Sequence, residues 1–169
     1  MTNTIRIAGI VEESIVDGPG IRLVVFVQGC KHKCPGCHNV HTHAFDGGEI
    51  ISVKNIIDKI KENPLLDGIT LSGGEPFEQA KILSKLAKEV KDLGYNVMTY
   101  TGYTYEQIVK SSSDIYGWSE LLENTDILVD GKFDVQKKNL KLRFKGSENQ
   151  RIIDVKETKL NNKIVFADI

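Results

Sequence analysis

Val53, Ile56, Ile57 and Ile60 recur at i, i+3, i+4 and i+7, which places one apolar stripe on a helix. Ser52 stands where an N-cap belongs, and Pro64 ends the pattern. Leu83, Leu86, Ala87 and Val90 repeat the spacing, with Gly94 placed as a C-terminal stop. Elsewhere the pattern shortens. Residues 5–11, 21–27, 68–71, 95–100 and 126–129 read as strands, the second as a buried one rich in β-branched side chains. Residues 105–110 and 118–124 read as further helical pieces.

Strands alternating with helices imply βαβ units and a parallel sheet. The units are too few for a closed eight-fold barrel. The expected fold is therefore α/β, an open, partial βα barrel or a small doubly wound sheet, mostly parallel. With no internal repeat and no linker-like break, residues 1–169 are expected to form one domain. The polar and glycine-rich stretches that follow strands are where such sheets place their sites. Three cysteines follow the second strand. Gly73-Gly74-Glu75-Pro76, Thr101-Gly102 and Asp130-Gly131-Lys132 follow later ones.

Composition narrows the setting more than the chemistry. The chain is 40% hydrophobic and 27% charged, with 22 basic against 23 acidic side chains and a pI near 6.4. That balance makes no electrostatic case for nucleic acid or an anionic membrane as partner. A late basic cluster, Lys137, Lys138, Lys141, Arg143 and Lys145, reads as solvated surface. The longest wholly apolar run, residues 23–27, is far short of the roughly 20 residues of a membrane span. The N-terminus lacks the pattern of a signal peptide. A cytoplasmic, thiol-reducing home is expected.

In that setting an odd, clustered set of cysteines argues for metal or redox chemistry rather than disulfides. The pattern is Cys30-x3-Cys34-x2-Cys37, with Pro35 and Gly36 favouring a turn between the last two. Three thiolates on one tight loop can hold three corners of an iron–sulfur cube and leave one iron without a protein ligand. An electron-transfer cluster normally has four protein ligands, and the chain has no fourth cysteine. The loop alone also allows zinc, because His41 or His43 could complete a Cys3His set, with His32 and His38 as further candidates. The Gly-Gly-Glu-Pro turn one βα unit later favours the cluster. Paired glycines let a ligand approach the backbone, and Glu75 is an acceptor suited to an ammonium group.

Together these residues resemble the radical-SAM superfamily, whose pattern is C-x3-C-x2-C with a Gly-Gly-Glu-type turn after the next strand. Asp17-Gly18-Pro19-Gly20-Ile21-Arg22 looks like the glycyl-radical-enzyme activases. Cys34-Pro35-Gly36-Cys37-His38-Asn39, Thr101-Gly102-Tyr103, residues 129–133 and residues 143–151 look like the subgroup that activates anaerobic ribonucleoside-triphosphate reductase. The resemblance spans nearly the whole chain and is least over residues 154–169. Many superfamily members carry an aromatic residue before the third cysteine, against the adenine; here Gly36 stands there.

The resemblance implies a [4Fe–4S] cluster on Cys30, Cys34 and Cys37, with S-adenosylmethionine chelating the open iron. No catalytic residue beyond the cluster ligands is implied. Gly73, Gly74 and Glu75 are expected to hold the methionine ammonium. Thr101, Asp130 and Lys132 are expected to contact ribose and carboxylate, and backbone groups around Gly36, Cys37 and His38 to face the adenine. One electron would cleave the cofactor to methionine and a 5′-deoxyadenosyl radical, which takes hydrogen from a backbone glycine of a large partner. The implied partners are the large glycyl-radical subunit of the reductase and an electron donor such as reduced flavodoxin. Residues 143–151 would dock the partner, close the pocket or simply connect elements. The competing readings are another glycyl-radical enzyme or a small molecule as substrate, and a non-catalytic zinc or electron-transfer module.

Overall fold

In the computed structural model, which describes residues 3–169, the apolar runs and amphipathic stretches form twelve strands and α-helices. In chain order they are β1 (Thr4–Ser14), β2 (Arg22–Val27), β3 (Glu49–Ser52), α1 (Val53–Glu62), β4 (Gly68–Gly73) and α2 (Ala80–Asp92). There follow β5 (Asn96–Tyr100), α3 (Tyr105–Ser111), α4 (Trp118–Glu123), β6 (Ile127–Asp130), β7 (Arg151–Asp154) and α5 (Val155–Asn161). Local chemistry sets the boundaries. Ser52 Oγ accepts from the Asn55 amide at the start of α1, and Thr104 and Gln107 form a reciprocal capping box on α3. Gly94, at φ +91°, turns the chain out of α2.

All seven strands join one sheet in the order β3-β1-β2-β4-β5-β6-β7. The three central pairings, β2–β4, β4–β5 and β5–β6, are parallel. The pairings β1–β2, β1–β3 and β6–β7 are antiparallel. The expectation of a mostly parallel sheet is thus corrected to a mixed one. A parallel return needs a crossover, usually a helix, whereas residues 131–150 between β6 and β7 contain only one 3-10 turn. Strands β3 and β7 and helix α5 were missing from the sequence reading. Both strands are four-residue edge segments, too short to show a period.

Period-two alternation gives the sheet two unlike faces. Leu23, Val25 and Val27 of β2, Ile69 and Leu71 of β4, Val97 and Leu128 pack with Ile56, Ile60, Leu83, Leu86, Val90 and Leu121 of the helices. On the other face Met98, Ile127 and Val129 pack with Phe144, Tyr100 and Ile152. Arg22 also lies on that second face, 1% exposed. It donates to Thr70 Oγ1, the Ile69 carbonyl and Asn96 Oδ1 at 2.8, 2.8 and 2.7 Å, tying the N-terminal ends of three strands together. Burial pulls its pKa down to about 10. The Arg22 of the Asp-Gly-Pro-Gly-Ile-Arg motif is therefore a structural tie. No helix among the described residues is long and apolar enough to cross a membrane.

Candidate metal centre

The loop after β2 is pinned before it reaches its cysteines. The Gly29 amide donates to the Thr42 carbonyl at 2.7 Å and the Cys30 amide to the His43 carbonyl at 3.1 Å. The Cys37 amide donates to the Cys34 carbonyl, closing a turn that needs Gly36 at φ +76°. Cys30 is buried and Cys34 and Cys37 are half-buried; all three are free thiols lining one cavity of about 460 Å³.

Each sulfur meets backbone amides. Those of His32 and Lys33 face Cys30, that of Phe133 faces Cys34, and the Asn39 amide donates to Cys37 Sγ at 3.4 Å. Burial pushes the Cys30 and Cys34 thiols up, and these amides oppose it. Lys132 also pulls Cys34 down, so its charge is felt at that sulfur. Amide donors to sulfur are what cluster thiolates accept, and three cysteines without a fourth match a cube with one open iron. Among the described residues no three His, Cys, Asp or Glu side chains are grouped to hold a single ion. The donor set fits a [4Fe–4S] cluster.

The histidines divide. His32, His38 and His43 line the cavity and His41 is exposed; the His32 ring also bonds Glu75.

The Gly-Gly-Glu-Pro turn is knitted to the cysteine loop. The Gly74 amide donates to the Val27 carbonyl and the Glu75 amide to the Gly29 carbonyl, both at 2.8 Å. A Cβ on Gly73 would lie 2.5 Å from the Val27 nitrogen, and one on Gly74 2.5 Å from the Gly29 oxygen, so both positions exclude a side chain. Gly73 and Gly74 line the cavity, and so does Thr101.

Glu75 does not line it. Its side chain is 1% exposed, and its carboxylate accepts from His32 Nε2 at 2.6 Å, the Gly102 amide at 2.8 Å and the Phe77 amide at 2.9 Å. The Thr101 hydroxyl adds contacts of 2.9 and 3.0 Å. A carboxylate offers about four lone-pair sites. The expected ammonium acceptor is already saturated by the protein's own donors.

Asp130 is placed similarly. It is 1% exposed and accepts from Arg151 and from the Tyr105 amide, outside the cavity lining. Arg151 also donates to Glu106. Lys132 is exposed, and neither it nor Gly36 contributes to the cavity wall. Cys37 and His38 do.

Sequence reasoning gave no role to Phe133 or Tyr100, which line the cavity. Phe133 packs beside Gly36, where an added Cβ would lie 3.5 Å from its ring, and tilts against His38 at 5.5 Å between centroids. Val135 lies nearer still, its side chain 3.0 Å from that Cβ, so two residues of the loop after β6 share the space beside Gly36. Phe144, Lys145, Gly146 and Gln150 bring residues 143–151 to the wall, with the Tyr100 hydroxyl donating to the Phe144 carbonyl. Of the roles expected for that stretch, closing the pocket agrees with this placement.

A mixed sheet with three free thiols on one strand-end loop, open to a cavity, is an arrangement suited to a protein that carries a single iron–sulfur cluster. The family described as "4Fe-4S single cluster domain" matches residues 16–153. The anaerobic ribonucleoside-triphosphate reductase-activating protein of Enterobacteria phage T4 is 33% identical over 144 residues, covering 81% of this chain and 86% of that protein. The proteins of the same name from Escherichia coli K12 and Vibrio cholerae are 31% and 34% identical; this chain is covered by 80% and 82%, and each of them by 90%. The chain belongs to the family of anaerobic ribonucleoside-triphosphate reductase-activating proteins. The crystal structure of QueE from Escherichia coli superposes with a TM-score of 0.49 at 14% identity, over 75% of this chain and 71% of that one.

Proposed function

We propose that the protein is a radical-SAM activating enzyme that installs the glycyl radical in anaerobic ribonucleoside-triphosphate reductase. The observation that carries this is one cavity lined by the three cysteine thiols and by the side-chain-free Gly73 and Gly74. Cys30, Cys34 and Cys37 would hold a [4Fe–4S] cluster with S-adenosylmethionine beside Gly73 and Gly74, and that pair would supply one-electron cleavage of the sulfonium C–S bond and, through it, removal of a hydrogen atom from a glycine of the partner.

The chain's own work is to bind, orient and exclude water. Cys30, Cys34 and Cys37 hold the cluster at the carbonyl end of β2. Gly73 and Gly74 present bare backbone to the methionine end. His38 and the backbone around Gly36 and Cys37 face the adenine, and Phe133 supplies the ring that Gly36 lacks. Lys132, whose charge reaches Cys34, is our candidate for the cofactor carboxylate. Thr101 keeps a hydroxyl at the cavity, and Asp130 supports the wall through Arg151 rather than touching the cofactor. Residues 143–151 close one side; the reductase's large subunit covers the other. The setting is a cytoplasmic, single-domain open partial barrel, with an electron donor such as reduced flavodoxin.

The test is anaerobic. Iron-reconstituted, reduced protein is mixed with S-adenosylmethionine and anaerobic reductase, and the expected product is a glycyl-radical doublet in the EPR spectrum. Cofactor cleavage without a partner radical would move the target to another protein or a small molecule. A colourless protein carrying zinc would end the reading.

A further inference from the structure

We propose that His32 is a positioning residue for the cluster loop, clasped by Glu75, and that Glu75 serves the cofactor site only through this clasp. The inference rests on the cluster reading above.

His32 lies midway between Cys30 and Cys34 and borders the same cavity, yet its side chain is 6% exposed and bonded to Glu75 rather than open to solvent. Because a carboxylate only accepts, the 2.6 Å contact has Nε2–H donating to Glu75 Oε1. The ring is also met edge-on by Tyr103 at 4.5 Å. Gly102 makes the room, since a Cβ there would lie 2.6 Å from the imidazole.

Both holding groups are themselves fixed. Tyr103 packs on Trp118 at 4.7 Å and donates its hydroxyl to Glu78 at 2.9 Å. The Glu75 carboxylate gathers donors from the cysteine loop (His32), its own turn (Phe77) and the loop after β5 (Thr101, Gly102). The amides of His32 and Lys33 face the Cys30 sulfur, and Lys33 sits at φ +50°. The imidazole is therefore the buried tie between this stretch and the sheet; the Lys31–Glu78 pair nearby is 63% exposed on the lysine side and holds little. Fixing a ligand loop through a partner outside the ligand set tunes metal retention.

The test uses full-length, reconstituted protein with His32→Phe, which keeps a ring but removes the donor, His32→Gln, which restores a donor, and Glu75→Gln. Iron release to a chelator, the EPR spectrum of the reduced cluster and S-adenosylmethionine affinity are measured. Expected are iron release faster by about 10-fold in His32→Phe and Glu75→Gln, no further loss in the double variant, and recovery in His32→Gln. Both single variants should alter cofactor affinity by the same factor. Weakened cofactor binding in Glu75→Gln alone, with iron retention intact, would make Glu75 a direct ligand and overturn the clasp. Lowered stability of the metal-free chain with iron release and EPR spectrum unchanged would make His32 merely structural, and would equally overturn it. A wild-type chain that takes up no cluster refutes both this proposal and the functional reading; a wild type that does, with His32→Phe unchanged, refutes only the clasp.

Discussion

At the scale of single residues, space left by one side chain is filled by another from far along the chain. Gly36 has no ring, and Phe133 occupies the adjoining wall. Phe133→Ala should weaken S-adenosylmethionine binding by about tenfold, or about 1.4 kcal/mol, with iron content unchanged, as measured by equilibrium binding to reconstituted protein. Two glycines at nearly the same φ separate conformational cost from crowding. Gly94→Ala meets nothing within 4 Å and should lose about 1–2 kcal/mol in urea unfolding, from its left-handed backbone alone. Gly73→Ala adds a clash with the backbone of β2 and should lose substantially more in the same measurement. Cys30→Ala, Cys34→Ala or Cys37→Ala should each abolish cofactor cleavage; full cleavage in any of them would remove that residue from the ligand set.

At the scale of elements, the return from β6 to β7 depends on a buried carboxylate. Asp130 ends β6 and is 1% exposed, while Arg151 opens β7 and reaches both Asp130 and Glu106. Removing the guanidinium strands a buried charge that keeps only the Tyr105 amide. Arg151→Ala should therefore cost about 2–4 kcal/mol in denaturant unfolding, below a fully buried pair because the arginine is 27% exposed. Helices α1 and α2 were legible because ten or more residues display the 3.6 period. The edge strands were not, because four residues on a sheet margin show neither a period nor a long apolar run.

At the scale of the whole molecule, acid should weaken the tie between α3 and β7. The Arg151 guanidinium holds the Glu106 carboxyl below its ordinary value of 4.5. In the unfolded chain that carboxyl protonates near 4.5, whereas folded it stays ionised to lower pH. Its stabilisation is complete above that point and lost as pH falls through the depressed folded value. Because the glutamate side chain is 61% exposed, the effect is small and shrinks with salt. An acid titration of the unfolding midpoint should fall less steeply in Glu106→Gln than in the wild type.

The sequence by itself determined the three clustered cysteines, their spacing, and the placement of each motif after a strand. Those features are local: spacing, periodicity and turn chemistry act within a few residues. Only the tertiary structure decided which carboxylates are free. Glu75 and Asp130 sit in motifs that look ready for a ligand, yet each is buried and engaged by a donor 43 or 21 positions away, His32 or Arg151. Sheet order brings those donors in, and no local pattern encodes it. The mixed sheet was decided the same way, by β1 pairing antiparallel with both its neighbours and by a helix-free connection that returns β7 antiparallel to β6.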